Sequence, residues 1–130
     1  MKIHIETIPH KEQRYETPGD YWLDDKDVIQ LRVSQLSDWR YEALIIIHEL
    51  VEIFLCKLWN IEWSKIDAFD IQFEKERKQG LHLQTDEPGD NEDAPYYWEH
   101  QLATAFEKML SGLMGVVWKK YDEEVVNLIQ

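Results

Sequence analysis

The segment His48-Glu49-Leu50-Val51-Glu52 has the residue types and spacing best suited to chemistry in this chain. On a helix, positions 48 and 52 are one turn apart and only about 40° apart in azimuth, so both side chains leave the same face. A metal ion needs ligands that converge without bending the backbone, and a His/Glu pair at i, i+4 supplies two. Glu49 then projects beside the ion, where a carboxylate can take a proton from metal-bound water. Glu42, Ile45 and Cys56 share this stripe, which contains no Lys or Arg. Its acids repel one another, and a divalent cation relieves that cost. The competing reading makes the stripe the wet face of an amphipathic helix.

A third ligand has to come from elsewhere, and Asp70, Glu99 and His100 are the candidates. Asp70 lies inside the stripe Ile66, Phe69, Phe73, Arg77. A carboxylate there must be paired, hydrogen-bonded or metal-bound, and Arg77, a partner from another helix or a metal would each serve. Glu99 sits at the edge of the apolar stripe Leu102, Phe106, Met109, Leu110, Leu113, expected to face the core, and ranks first on that inward phase. His100 ranks second: its imidazole suits a metal, but it falls on the polar side, where an exposed His needs no role. His4, His10 and His82 have no partner at ligand spacing and read as surface or loop residues. Catalytic sites commonly take three protein ligands and leave a position for water. The expected site is therefore a divalent ion (Zn, Mn or Mg) on His48, Glu52 and at least one of Asp70, Glu99 and His100, with Glu49 as general base.

Other chemistries lack their parts. There is no Gly-rich phosphate loop, no Gly-x-Ser-x-Gly elbow and no paired-Cys knuckle. Cys56 and His48 are eight residues apart on one helix, about 12 Å along its axis, too far for a nucleophile–base pair. A ferritin-like di-iron site needs Glu-x-x-His on two helices, which this chain does not have.

The elements that must position these residues fall into two halves of a single domain, residues 1–130. Ile3 and Ile5 alternate with His4 and Glu6 in a strand ending at Pro9, and an extended piece is expected over Glu12 to Tyr15. Pro18-Gly19-Asp20 is a turn. Tyr21-Trp22-Leu23 and Val28 to Ser34 then flank the polar turn Asp24 to Asp27, and such short turns favour antiparallel pairing. Ser37 or Asp38 can cap a helix to about Trp59, and Ser64 another from Lys65 to about Gln79, with Gly80 beyond it. An acidic loop, Leu83 to Ala94, precedes a helix capped by Asp93 and running to about Met114. A last amphipathic turn or two follows Tyr121 or Asp122. The expected fold is α+β, a small antiparallel sheet packed on three to four helices.

Fourteen Lys+Arg against 26 Asp+Glu give a net charge of -12 in 130 residues. That argues against nucleic acid or an anionic membrane surface as partner, since both want basic patches. No segment reaches about 18 consecutive apolar residues, so no membrane span is expected, and the N-terminal stretch reads as a strand rather than a signal peptide. The single Cys fits a reducing compartment, so the expected location is cytoplasmic. Six Trp and six Tyr fill a core, or else form aromatic anchors for a basic protein or peptide partner.

A strand at Val28–Ser34 feeding a helix with His48-Glu49-x-x-Glu52 resembles the core of zincin-type metallopeptidases, whose helix carries His-Glu-x-x-His. That resemblance covers roughly residues 28–60. It implies His48 as first ligand, Glu49 as general base and Glu52 in the place of the second His, and an oxygen-rich site of this kind favours harder ions such as Mn or Mg. Glu87 to His100, together with the His48 motif, is also similar to small uncharacterised proteins of bacteria and their phages. The leading expectation is a metal-binding, zincin-like protein acting as a metal-dependent hydrolase. The alternative is a non-catalytic acidic protein-binding module of the inhibitor or DNA-mimic type.

Overall fold

Ile29, Leu31 and Val33 alternate with Gln30 and Arg32, and in the structure those three are buried to within 3% exposure. They belong to β3 (Ile29–Ser34), the middle of a three-stranded sheet ordered β1 (Ile3–Ile8), β3, β2 (Gly19–Leu23). The structure is a computed structural model and describes residues 1–129. β2 pairs antiparallel with β3 through a turn in which the Asp24 side chain accepts the Lys26 and Val28 backbone N–H groups. β1 instead runs parallel to β3, from Ile3 opposite Ile29 to Ile8 opposite Ser34.

The sheet is therefore mixed, which corrects the antiparallel expectation. A short turn dictates the pairing of the two strands it joins, but no short turn joins β1 to β3. The piece expected to be extended, Glu12 to Tyr15, is not a strand either. A 3-10 turn covers His10–Glu12, and His10 and Gln13 bond the Ser34 hydroxyl, tying the crossover to the end of β3.

Four helices follow: α1 (Trp39–Leu58), α2 (Trp63–Lys78), α3 (Tyr97–Leu113) and α4 (Trp118–Leu128). Asp38 caps α1 by accepting the Arg40 N–H. α2 begins before Ser64 and has no side-chain cap; Gly80, at φ +81, turns the chain out of it. α3 starts later than an Asp93 cap predicts, because the Asn91 side chain accepts the Asp93 N–H and holds residues 91–94 in a turn. Among the described residues no helix is long and apolar enough to cross a membrane.

α1 and α3 pack side by side and antiparallel, with His48 against Glu107 and Glu52 against His100. Ile45, His48, Glu49, Glu52 and Cys56 are all buried, so the acidic stripe is not a wet face. α3 is the larger correction. Its inward residues are Glu99, His100, Ala103, Glu107 and Ser111, whereas Leu102, Phe106, Met109 and Leu113 are between 49% and 79% exposed. Periodicity locates an apolar face but not its direction. Here the pairing of polar side chains between α1 and α3 turns the apolar face outward.

Candidate metal centre

α1 and α3 bring three donor atoms together. His48 Nε2 lies 2.7 Å from Glu52 Oε2, His100 Nδ1 lies 2.8 Å from the same oxygen, and the two nitrogens are 3.1 Å apart. All three residues are under a tenth exposed. The i, i+4 spacing on α1 makes the first pair, and His100 enters from the facing helix, its ring 4.6 Å from that of His48 and tilted 65°.

The outer ring nitrogens decide what the inner ones are. His48 Nδ1 is 2.7 Å from Glu107 Oε1, and His100 Nε2 is 3.0 Å from Glu87 Oε2. An ionised carboxylate only accepts, so each outer nitrogen carries the hydrogen and each neutral ring presents a bare lone pair inward. The Tyr121 hydroxyl donates to the other Glu107 oxygen, and the Tyr21 hydroxyl donates to Glu52 Oε1 at 3.3 Å. Once those rings are neutral, two nitrogen lone pairs and a carboxylate oxygen converge on one point. A proton bridges only one edge of that triangle, whereas a cation serves all three donors.

The electrostatics agree. Burial alone would pull both imidazoles down, yet Glu52 and the outer carboxylates outweigh it, holding His48 well above its ordinary value and His100 at about 10. Burial would raise Glu52, but His48 and His100 hold it at about 2. The cluster is built to keep positive charge beside one carboxylate, as protons or as a metal. A second convergent group, Glu87, Asp90 and His100, uses the outer nitrogen of His100. Its carboxylates are exposed, and they orient the ring.

Two glycines make the room. A Cβ on Gly89 would meet His100 Cγ at 2.3 Å, and one on Gly19 would meet Glu49 Oε1 at 2.5 Å. Glu49 is 9% exposed, makes no hydrogen bond among the described residues, and lines a cavity of about 120 Å³ beside the cluster. Burial first, then the charge of Glu52, lift its carboxyl well above the usual range.

No family model, curated protein or solved structure matches this chain. What the centre can do rests on the geometry alone.

Of the residues singled out in the sequence, His48, Glu52 and His100 meet. Glu99 does not join them. It is buried, but it lies one position round α3 from His100 and outside the cavity wall. The order of the third-ligand candidates is reversed. The apolar face that ranked Glu99 first points outward, and the polar face that demoted His100 points in. Asp70 lines the cavity but bonds the Tyr96 hydroxyl at 2.6 Å and the Tyr15 hydroxyl at 3.3 Å. Arg77 is not its partner, because it pairs with Glu74 and the Leu83 and Asp86 carbonyls. His10 and His82 are paired with Glu16 and Glu76. Glu107, Glu87, Gly19 and Gly89 escaped the sequence reading. Glu107 had a signal, since it falls seven residues after His100 and so two turns along the same face.

Proposed function

We propose that the protein binds a divalent cation, zinc in the first instance, through His48, Glu52 and His100, and hydrolyses a small substrate with it. One observation carries this reading: both imidazoles bond a carboxylate through the outer nitrogen and aim the inner one at Glu52. Metal-ligating histidines are oriented in this way in general, the carboxylate fixing the tautomer and raising ligand basicity. Two imidazoles and one carboxylate are also the donor composition of His₂Glu zinc hydrolases. The set is richer in nitrogen than the helix motif alone, which moves the preference from Mg or Mn toward zinc. The zincin likeness then lies in the donor set, with the second imidazole coming from α3 and not from the motif.

A bound zinc would supply a water acidified to near neutrality and polarise a substrate oxygen. Glu49, lining the cavity and without a hydrogen-bond partner among the described residues, would hold the proton lost by that water and pass it to a leaving group. Tyr21 keeps the second oxygen of Glu52 occupied, and Tyr121 does the same for Glu107.

The test is elemental analysis of protein purified without a chelator or His tag, followed by thermal unfolding with zinc and with chelator. Zinc should raise the midpoint of the native protein and leave His48→Ala unmoved. Binding should weaken as the pH falls, because the ion must displace protons from both rings. Glu49→Gln should keep the metal and lose hydrolysis, by roughly 10² to 10⁴ if the residue is a general base.

A second reading, an acidic protein-binding module, draws on the outward apolar face of α3 and on Trp39 and Trp98, 70% and 72% exposed. It takes over if zinc neither co-purifies nor stabilises the protein.

A further inference from the structure

Ten carboxylates line the cavity beside the metal centre, and no Lys or Arg does. Most of these acids are already matched. Asp20 and Asp67 take Arg14, Glu74 takes Arg77, and Glu87 and Glu107 take the histidines. Asp86 caps the backbone of its own loop at Leu83. Apart from Asp86, two have no basic partner among the described residues, Glu49 and Asp70. Glu49 is nine-tenths buried and makes no hydrogen bond among the described residues.

Position separates their roles. With both rings neutral, Glu52, Glu87 and Glu107 already outweigh the charge of a divalent ion, so the centre offsets neither Glu49 beside it nor Asp70. Asp70 then remains uncompensated on the far wall, on α2. It is one side chain away from the centre: the Tyr96 hydroxyl touches Asp70, and the Tyr96 ring stands edge-on to His100 at 5.9 Å. Tyr15 completes a carboxylate held between aromatic rings. A carboxylate that lines the cavity with no base of its own recognises a protonated amine through a charge-assisted hydrogen bond.

The geometry points to a small primary amine as the substrate class, its ammonium on Asp70 and its reacting group a few atoms away at the metal. This rests on the metal reading above, and the test keeps the two apart. Zinc-loaded protein is titrated calorimetrically with 3-aminopropionohydroxamic acid and with butyrohydroxamic acid, two chelating probes that differ by an ammonium in place of a methyl. The amino probe should bind at least tenfold more tightly to the native protein, and Asp70→Asn should retain zinc and lose that preference. Equal binding of the two probes to the native protein overturns the amine assignment and leaves the metal centre standing. So does a preference that survives in zinc-loaded Asp70→Asn. Failure of both probes to bind a protein that takes up no zinc overturns the metal reading and the amine with it. The native protein's preference needs no variant, so a misfolded Asp70→Asn does not remove the test.

Discussion

The two ends of the cavity differ in how their acids are satisfied. At the α1–α3 end, Glu52, Glu107 and Glu87 each face an imidazole, and tyrosine hydroxyls take further lone pairs. At the α2 end, Asp70 has hydroxyls but no base among the described residues. Burial acts on both in the same direction, and the partners decide the result. Glu52 is held at about 2, while desolvation, only partly countered by Tyr96, pushes Asp70 up to about 8. The first end is organised to keep a positive charge, and the second is short of one.

The sharpest way to break that contrast is to remove a donor. His100→Ala should weaken zinc binding by more than the roughly 100-fold ceiling of an outer-shell partner, whereas Glu99→Ala should leave it within about twofold. Competition with a chromogenic chelator measures both. Equal effects would return Glu99 to the ligand set.

Gly89→Ala should come close to His100→Ala, since the new methyl overlaps the ring that Gly89 now accommodates. The same titration, with circular dichroism to confirm the helices, checks it. A neutral result would mean the loop at Pro88–Asp90 yields freely.

Glu107→Gln should cost about 10- to 100-fold in zinc affinity, the range for the partner of a metal-bound His. Tyr121→Phe should cost less, acting only through Glu107. An inverted order would show that α4 steadies the site by packing.

The smallest effect belongs to the Asp70 end and appears as a pH slope in chelated protein. Below about pH 4, the ordinary aspartate range, Asp70 is protonated in folded and unfolded chains alike. Between about 4 and about 8 the folded state holds a proton that the unfolded chain has released, so stability falls as pH rises, and above that it levels off. Asp70→Asn should flatten this part of the profile and be the more stable protein at pH 8. Denaturant unfolding at several pH values reads the slope. An unchanged slope would show that Asp70 is ionised in the fold.

The helical half was legible where periodicity and end signals agreed. α1 begins at Trp39 with Asp38 as its cap, as expected, and ends one residue before the expected Trp59. The pairing of β2 with β3 followed from the turn between them. β1 could not be placed, because a parallel neighbour is joined through a crossover whose path is set by packing. The start of α3 was missed because the Asn91 side chain accepts the Asp93 N–H and holds residues 91–94 in a turn ahead of the helix.

The candidate site divides along the same line. Sequence by itself determined the pair His48 and Glu52, since their meeting depends only on the 3.6-residue turn of one helix. It also determined that α3 has an apolar and a polar face. Only the tertiary structure decided which face turns inward, and with that the choice of His100 over Glu99. Residues from two helices meet through the relative rotation of those helices, and that rotation is set by their contacts, Glu107 on His48 and His100 on Glu52 among them, with Gly89 of the preceding loop close behind the His100 ring.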